Sequence, residues 1–174
     1  METTPFHELA VDDIARAAGL SRSAFYRYYQ DKYELLMTAT EQAADALYAE
    51  ADRWWHGEGE PEALVRRAIE GVAEAYSRYD RVLSVATEVS TYDDEVRRFW
   101  RGLVERFVDA TDRHIALEQS EGRIRPLDSR RTAEALVWMT ERACYVYVAR
   151  RERAPRDVVA ALTEVWVGAL YAQR

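Results

Sequence analysis

Lysine is all but missing from this chain: Lys32 stands alone against 23 arginines. Cysteine is equally scarce, and the single Cys144 excludes an internal disulfide and points to a reducing, cytoplasmic compartment. The three histidines, His7, His56 and His114, are scattered, so they give no metal-ligand spacing with one another or with the cysteine. Neither a phosphate-cradling glycine loop nor a nucleophile elbow occurs. No apolar run approaches the ~20 residues that span a bilayer, and no charged-then-apolar leader opens the chain. These absences exclude a disulfide scaffold and a membrane span and leave catalysis without support. The sequence assigns no catalytic residue, no metal and no cofactor.

What is present is a chain of 174 residues, 48% hydrophobic and 32% charged, with material for one core and a small head. Its net charge of −7 argues against a protein that coats nucleic acid at random. One stretch reverses that balance: from Arg16 to Tyr33, three arginines and Lys32 face only Asp31. Within it, Ile14 to Tyr29 reads as two short helices broken by a glycine turn, the geometry that sets a helix in the major groove of DNA. Ala15 is small where the helices would cross, and Gly19 can take φ > 0 at the bend. Leu20 and Phe25 supply apolar contacts, and Ser21 caps the second helix. Arg22, Ser23, Tyr26, Arg27 and Tyr28 then place cations, hydroxyls and rings beside Ser21 on the turns that would meet bases and phosphates. Asp31 and Glu34 form an acidic capping box for the next helix. Lys32 opposes the macrodipole at that helix start, which suggests a phosphate contact rather than a stabilising role.

Val11 to Ala15, Ala18 to Ser21, Phe25 to Tyr29 and Lys32 together resemble the DNA-binding segment of the TetR family of bacterial transcriptional regulators. The resemblance implies that Arg22 and Ser23 face bases while Tyr26, Tyr28 and Lys32 hold the backbone. It also implies a homodimer on a near-palindromic operator of double-stranded DNA, with an apolar small-molecule effector. Ala10 stands where the family has a capping Ser or Thr, so one cap is expected to be missing. The family carries a further helix ahead of this segment. Met1 to Leu9 shows no helical period and is long enough only for that helix's tail, and Pro5 would disrupt it. The expectation is either a start further upstream or a head whose Ile14, Leu20 and Phe25 are partly uncovered.

Beyond Lys32 the pattern is helical throughout, with no strand signal, internal repeat or low-complexity linker. Leu35, Leu36, Ala39, Ala43, Leu47 and Ala51 make one stripe, predicting a long helix from Lys32 to about Trp55. Further helices are predicted near Glu62 to Tyr79, Asp80 to Thr91, Asp93 to Gln119, Asp128 to Arg150 and Pro155 to Tyr171, with a loop at Glu121 to Pro126. His114, beside Arg113, is expected on a solvated face.

Glu141 interrupts the apolar run from Ala135 to Ala149, and no cation on its own helix is expected to pair with it. Either it pairs with another helix or a second subunit, or it anchors a ligand in a cavity. Aromatic residues on four helices supply the remaining ingredient of such a cavity. Trp138 to Arg142 and Val165 to Tyr171 also resemble the branch of the family that contains the mycobacterial repressor of ethionamide activation. That resemblance implies an apolar tunnel lined by Tyr76, Trp100, Phe107, Thr111, Trp138, Thr140, Glu141 and Trp166, and a dimer seam on the last two helices. The sequence thus predicts an all-α protein. Residues 1–36 would be a helix-turn-helix head, and residues 37–174 a helical bundle for ligand binding and dimerisation. The competing expectation is an interaction module that has lost a complete DNA-binding head.

Overall fold

The computed structural model describes residues 4–171, so Met1 to Thr3 of the expected N-terminal tail lie outside the described residues. No strand occurs among them. Eight helices follow in order: α1 Val11–Ala17, α2 Arg22–Phe25, α3 Lys32–Trp55, α4 Pro61–Arg78, α5 Asp80–Val89, α6 Asp94–Ser120, α7 Ser129–Ala143 and α8 Pro155–Leu170.

The head is set by its caps and its turn. The Ser21 hydroxyl accepts the backbone N–H of Ala24 at 3.1 Å, and Gly19 sits at φ 70°, the left-handed region that the bend requires. Ala10 offers α1 no side-chain cap, as expected. Ahead of α1, residues Phe6–Glu8 form a single tight 3-10 turn rather than the tail of an α-helix. Phe6 is buried edge-on against Tyr33 at 5.4 Å, burial that contributes roughly 1.5–3 kcal/mol. Phe25 is only 3% exposed, covered in part by Tyr26 and Tyr29, whereas Ile14 is half-buried and Leu20 is exposed.

Asp31 caps α3 by accepting the N–H groups of Tyr33 and Glu34 at 2.8 and 2.9 Å. The Glu34 carboxylate reaches back one residue further than a capping box requires, to the N–H of Gln30 at 2.5 Å. From there α3 runs unbroken through both proposed parts of the chain.

In the body, α4 packs against α3 on one side and α8 on another, while α6 packs against α7 and α3. Gly71 of α4 makes the first of these contacts possible. A Cβ at Gly71 would stand 2.9 Å from the Glu50 Cβ of α3 and closer still to its carboxylate. Asp93 and Asp128 cap α6 and α7 with their side chains. The turn between those helices is pinned by buried Ile124 and by the Gln119 amide, which donates to the carbonyls of Arg125 and Leu127. The helix predicted to run from Asp128 to Arg150 changes character midway, since Cys144–Ala149 winds as a wider π-helix against α4 and α5.

Candidate DNA interface and ligand cavity

Ser21, Arg22, Ser23, Tyr26, Arg27 and Tyr28, the predicted reading residues, are each exposed on α2, at its N-cap or in the turn after it. Their present partners differ. Ser21 is occupied by its cap and by Ser23, whose hydroxyl lies 3.0 Å away. Arg22 donates to the Asp12 carboxylate of α1 at 2.9 Å and lies over the Tyr26 ring at 5.5 Å. Asp12 also raises the guanidinium's pKa further, so Arg22 stays fully charged, and its other N–H groups remain available to a new acceptor.

Lys32 departs from its expected role. Its ammonium donates to the carbonyls of Phe6, His7 and Leu9, each at 2.9 Å, and lies 5.2 Å from the Phe6 ring. An ammonium has three donors, and all three are occupied. Lys32 therefore fastens the segment before α1 to the start of α3. The adverse position at the positive end of α3 is offset by the three carbonyl dipoles.

In the bundle, side chains of α3 to α8 line a cavity of about 100 Å³. Seven of the eight predicted residues line it: Tyr76, Trp100, Phe107, Thr111, Thr140, Glu141 and Trp166. Trp138 does not. Leu136, Val137, Thr140 and Glu141 follow one another on the inward face of α7, and Trp138 lies a third of a turn away, half-buried on the outer side. Val137 takes the position at the wall.

The sequence reading also missed an entire wall, built by Leu47, Ala51, Trp54 and Trp55 of α3. Their spacing of four, three and one residues continues the apolar stripe already visible in that helix. The signal was present, but the stripe alone does not say whether it meets packed core or open space.

Both oxygens of Glu141 are buried without a hydrogen-bond partner. The Arg142 guanidinium comes within 3.7 Å of one of them from the solvent side, so a cation on the same helix does lie near, contrary to expectation, but without a hydrogen bond. Burial pushes the Glu141 carboxyl above its usual range against the opposing pull of Arg142. Two neighbours respond to the same surroundings: burial and then Glu141 raise the Tyr76 phenol well above its ordinary value and the Cys144 thiol to about 12. Thr140 is less available. Its hydroxyl donates to the Leu136 carbonyl at 2.9 Å and accepts the Trp166 indole N–H at 2.9 Å, tying α7 to α8.

Behind Trp54 lies a polar cluster that no pattern foretold. The Trp54 indole donates to the Tyr171 hydroxyl at 3.1 Å, which donates in turn to Glu118, and Arg123 donates to the other Glu118 oxygen at 2.9 Å. His114 belongs here, not to solvent as expected. Its ring packs on Trp54 at 4.3 Å, and burial lowers its pKa against the opposing charge of Glu118 at 3.7 Å. Among the described residues no group of side chains could hold a metal ion, and no helix is long and apolar enough to cross a membrane.

A helix-turn-helix head whose connecting helix also walls an apolar cavity is the build of a transcriptional regulator. A family model described as the C-terminal domain of the transcriptional regulator EthR matches residues 65–172, and one for bacterial regulatory proteins of the tetR family matches residues 1–38. The chain belongs to the TetR family of transcriptional regulators, in its EthR branch. It is 31% identical to the HTH-type transcriptional regulator EthR of Mycolicibacterium smegmatis, over 98% of this chain and 81% of that protein. A TetR-family regulator from Syntrophomonas wolfei shares the fold at a TM-score of 0.80 and 12% identity, over 94% of this chain and 84% of that one. AibR, solved with isovaleryl coenzyme A and operator DNA, shares it at 0.68 and 18%, over 91% and 87%.

Proposed function

We propose that this regulator is a repressor that binds a near-palindromic operator as a homodimer and releases it when a small, largely apolar molecule fills the bundle cavity. Residues 1–36 form the reading head and residues 37–174 the sensing and dimerising body, with α3 crossing the division. The observation that carries this reading is the shared wall. Leu47, Ala51, Trp54 and Trp55 face the cavity from the helix whose other end, at Lys32, begins the head. A molecule that pushes on that wall redirects α3 and so alters the separation of two heads. It binds best to the arrangement that holds DNA worst, and the two affinities are linked reciprocally.

One short helix makes too few base contacts for useful specificity, which supports two heads on successive faces of the major groove. In the body, Ala161, Val165 and Gly168 follow at spacings of four and three on the exposed side of α8, small and apolar where a solvated face would carry charge. With half-buried Trp138 on α7 they form the surface for the second copy. In AibR, the same fold holds a ligand and DNA together in one crystal.

The test is selection of DNA from a random pool, followed by titration of the selected site at several salt concentrations with and without cavity ligands. Arg22→Ala is expected to weaken the selected site roughly ten- to hundredfold while leaving random DNA less affected. Failure to enrich any sequence overturns the reading. So does a ligand that raises the melting temperature and leaves DNA affinity unchanged.

A further inference from the structure

We infer that the molecule sensed in the cavity is a lipophilic amine, held by Glu141 through its protonated nitrogen. The inference rests on the reading of the cavity as the effector site and adds the chemistry of its occupant. Glu141 is 6% exposed, lines the cavity, and has no hydrogen-bond partner for either oxygen. A buried acceptor left this way is costly unless a donor arrives, and a carboxylate is best satisfied by a charged one.

The remaining lining narrows the donor. No Lys, Arg or His stands among the lining residues, so Glu141 is the only group there that can carry full charge at neutral pH. Six aromatic residues line the same space: Trp54, Trp55, Tyr76, Trp100, Phe107 and Trp166. Ring faces attract cations and oppose anions, and aromatic walls with a carboxylate are the recurring solution for binding ammonium groups. A fatty acid or acyl phosphate would bring a second negative charge beside Glu141 with no cation to receive it. Arg142 does not change this balance, because it approaches Glu141 from the solvent side and is itself 56% exposed. The groups that face Glu141 are otherwise the Tyr76 phenol of α4 and the Cys144 thiol one turn on, both kept neutral by burial. The hydroxyl of Thr140 is already committed to Leu136 and Trp166, so it does not compete for the nitrogen.

Calorimetric titration of the full chain with three matched probes decides the matter: n-hexylamine, n-hexanol and n-hexanoate, at pH 7.5. The amine is expected to bind at least tenfold more tightly than the alcohol, and the carboxylate not at all. In Glu141→Gln and in Glu141→Leu the preference for the amine is expected to vanish while the alcohol still binds. The leucine variant keeps the test open if the glutamine variant fails to fold. Equal binding of amine and alcohol to the natural protein overturns the inference and leaves the effector reading intact. A preference for the amine that survives both substitutions also overturns it, because the rings alone would then account for binding. Failure of all three probes to bind overturns the inference and removes the cavity as an effector site.

Discussion

Glu141 gives the molecule a pH dependence whose sign follows from its burial. Its folded-state pKa is raised, so the folded protein holds a proton over a range where the unfolded chain has released it. Stability tied to this group is therefore full below the ordinary carboxyl range and is lost as pH rises through the raised value. Glu141→Gln removes the titration. The variant is expected to be more stable than the natural protein at pH 8, with the difference closing toward pH 4, as read by chemical denaturation at each pH. Lys32 makes an opposite kind of prediction, one of position rather than charge. Lys32→Ala is expected to lose roughly 1–2 kcal/mol from the head by releasing three charge-assisted hydrogen bonds. Hydrogen exchange at Phe6 to Leu9 would rise, while the salt dependence of DNA binding stays unchanged. A shallower salt slope would instead return Lys32 to the phosphate-binding role. The difference between these two residues marks the limit of the sequence at this scale. Glu141 could be singled out because a carboxylate in an apolar run has no local explanation. Lys32 could not be placed, because its partners lie 23 to 26 positions away and are backbone carbonyls, which leave no trace in residue type. His114 eluded the sequence likewise, since Arg113 beside it made the face look polar while Trp54 covered the ring from another helix.

The helices themselves were legible because their ends are chemically marked. Asp31, Asp93 and Asp128 cap by side chain, and Pro61 and Pro155 open the first turns of α4 and α8. The π-helical Cys144–Ala149 was not legible, since the residues there carry the same apolar pattern that an α-helix would. Nor was the close approach of α3 and α4, where the informative residue is the absence of a side chain. In a free helix Gly→Ala gains about 1 kcal/mol. At Gly71 the sign is expected to invert. The new methyl would meet Glu50 at its Cβ as well as its carboxylate, so rotation of the carboxylate alone cannot relieve the clash. Gly71→Ala is expected to cost about 1–3 kcal/mol in urea denaturation as the two helices are forced apart. A neutral or stabilising result would mean that α3 and α4 separate freely. The cavity wall shows the same limit: seven lining positions were readable from the aromatic pattern and the family resemblance, but Trp138 and Val137 are adjacent and only the rotation of α7 decides which turns inward.

At the scale of the whole molecule, the proposed seam can be tested without touching the monomer. Gly168 has nothing within 4 Å of the position a Cβ would take. Gly168→Leu is thus expected to leave the single chain folded, and even to add helix propensity of about 1 kcal/mol. It should nevertheless shift analytical ultracentrifugation from dimer to monomer and weaken operator binding steeply. A variant that stays dimeric would move the seam away from this face of α8. The assignment of Trp138 to the outer side has a consequence in light rather than in structure. Of the five tryptophans in the chain, Trp54, Trp55, Trp100 and Trp166 line the cavity and Trp138 alone does not. Intrinsic fluorescence therefore carries two separable signals, one from the chamber and one from the surface of α7. In a Trp138→Phe protein the emission would come from the chamber alone and would follow ligand entry with no added dye. The difference from the natural protein would isolate the remaining indole, whose emission would shift to the blue as a second copy covers it with rising protein concentration.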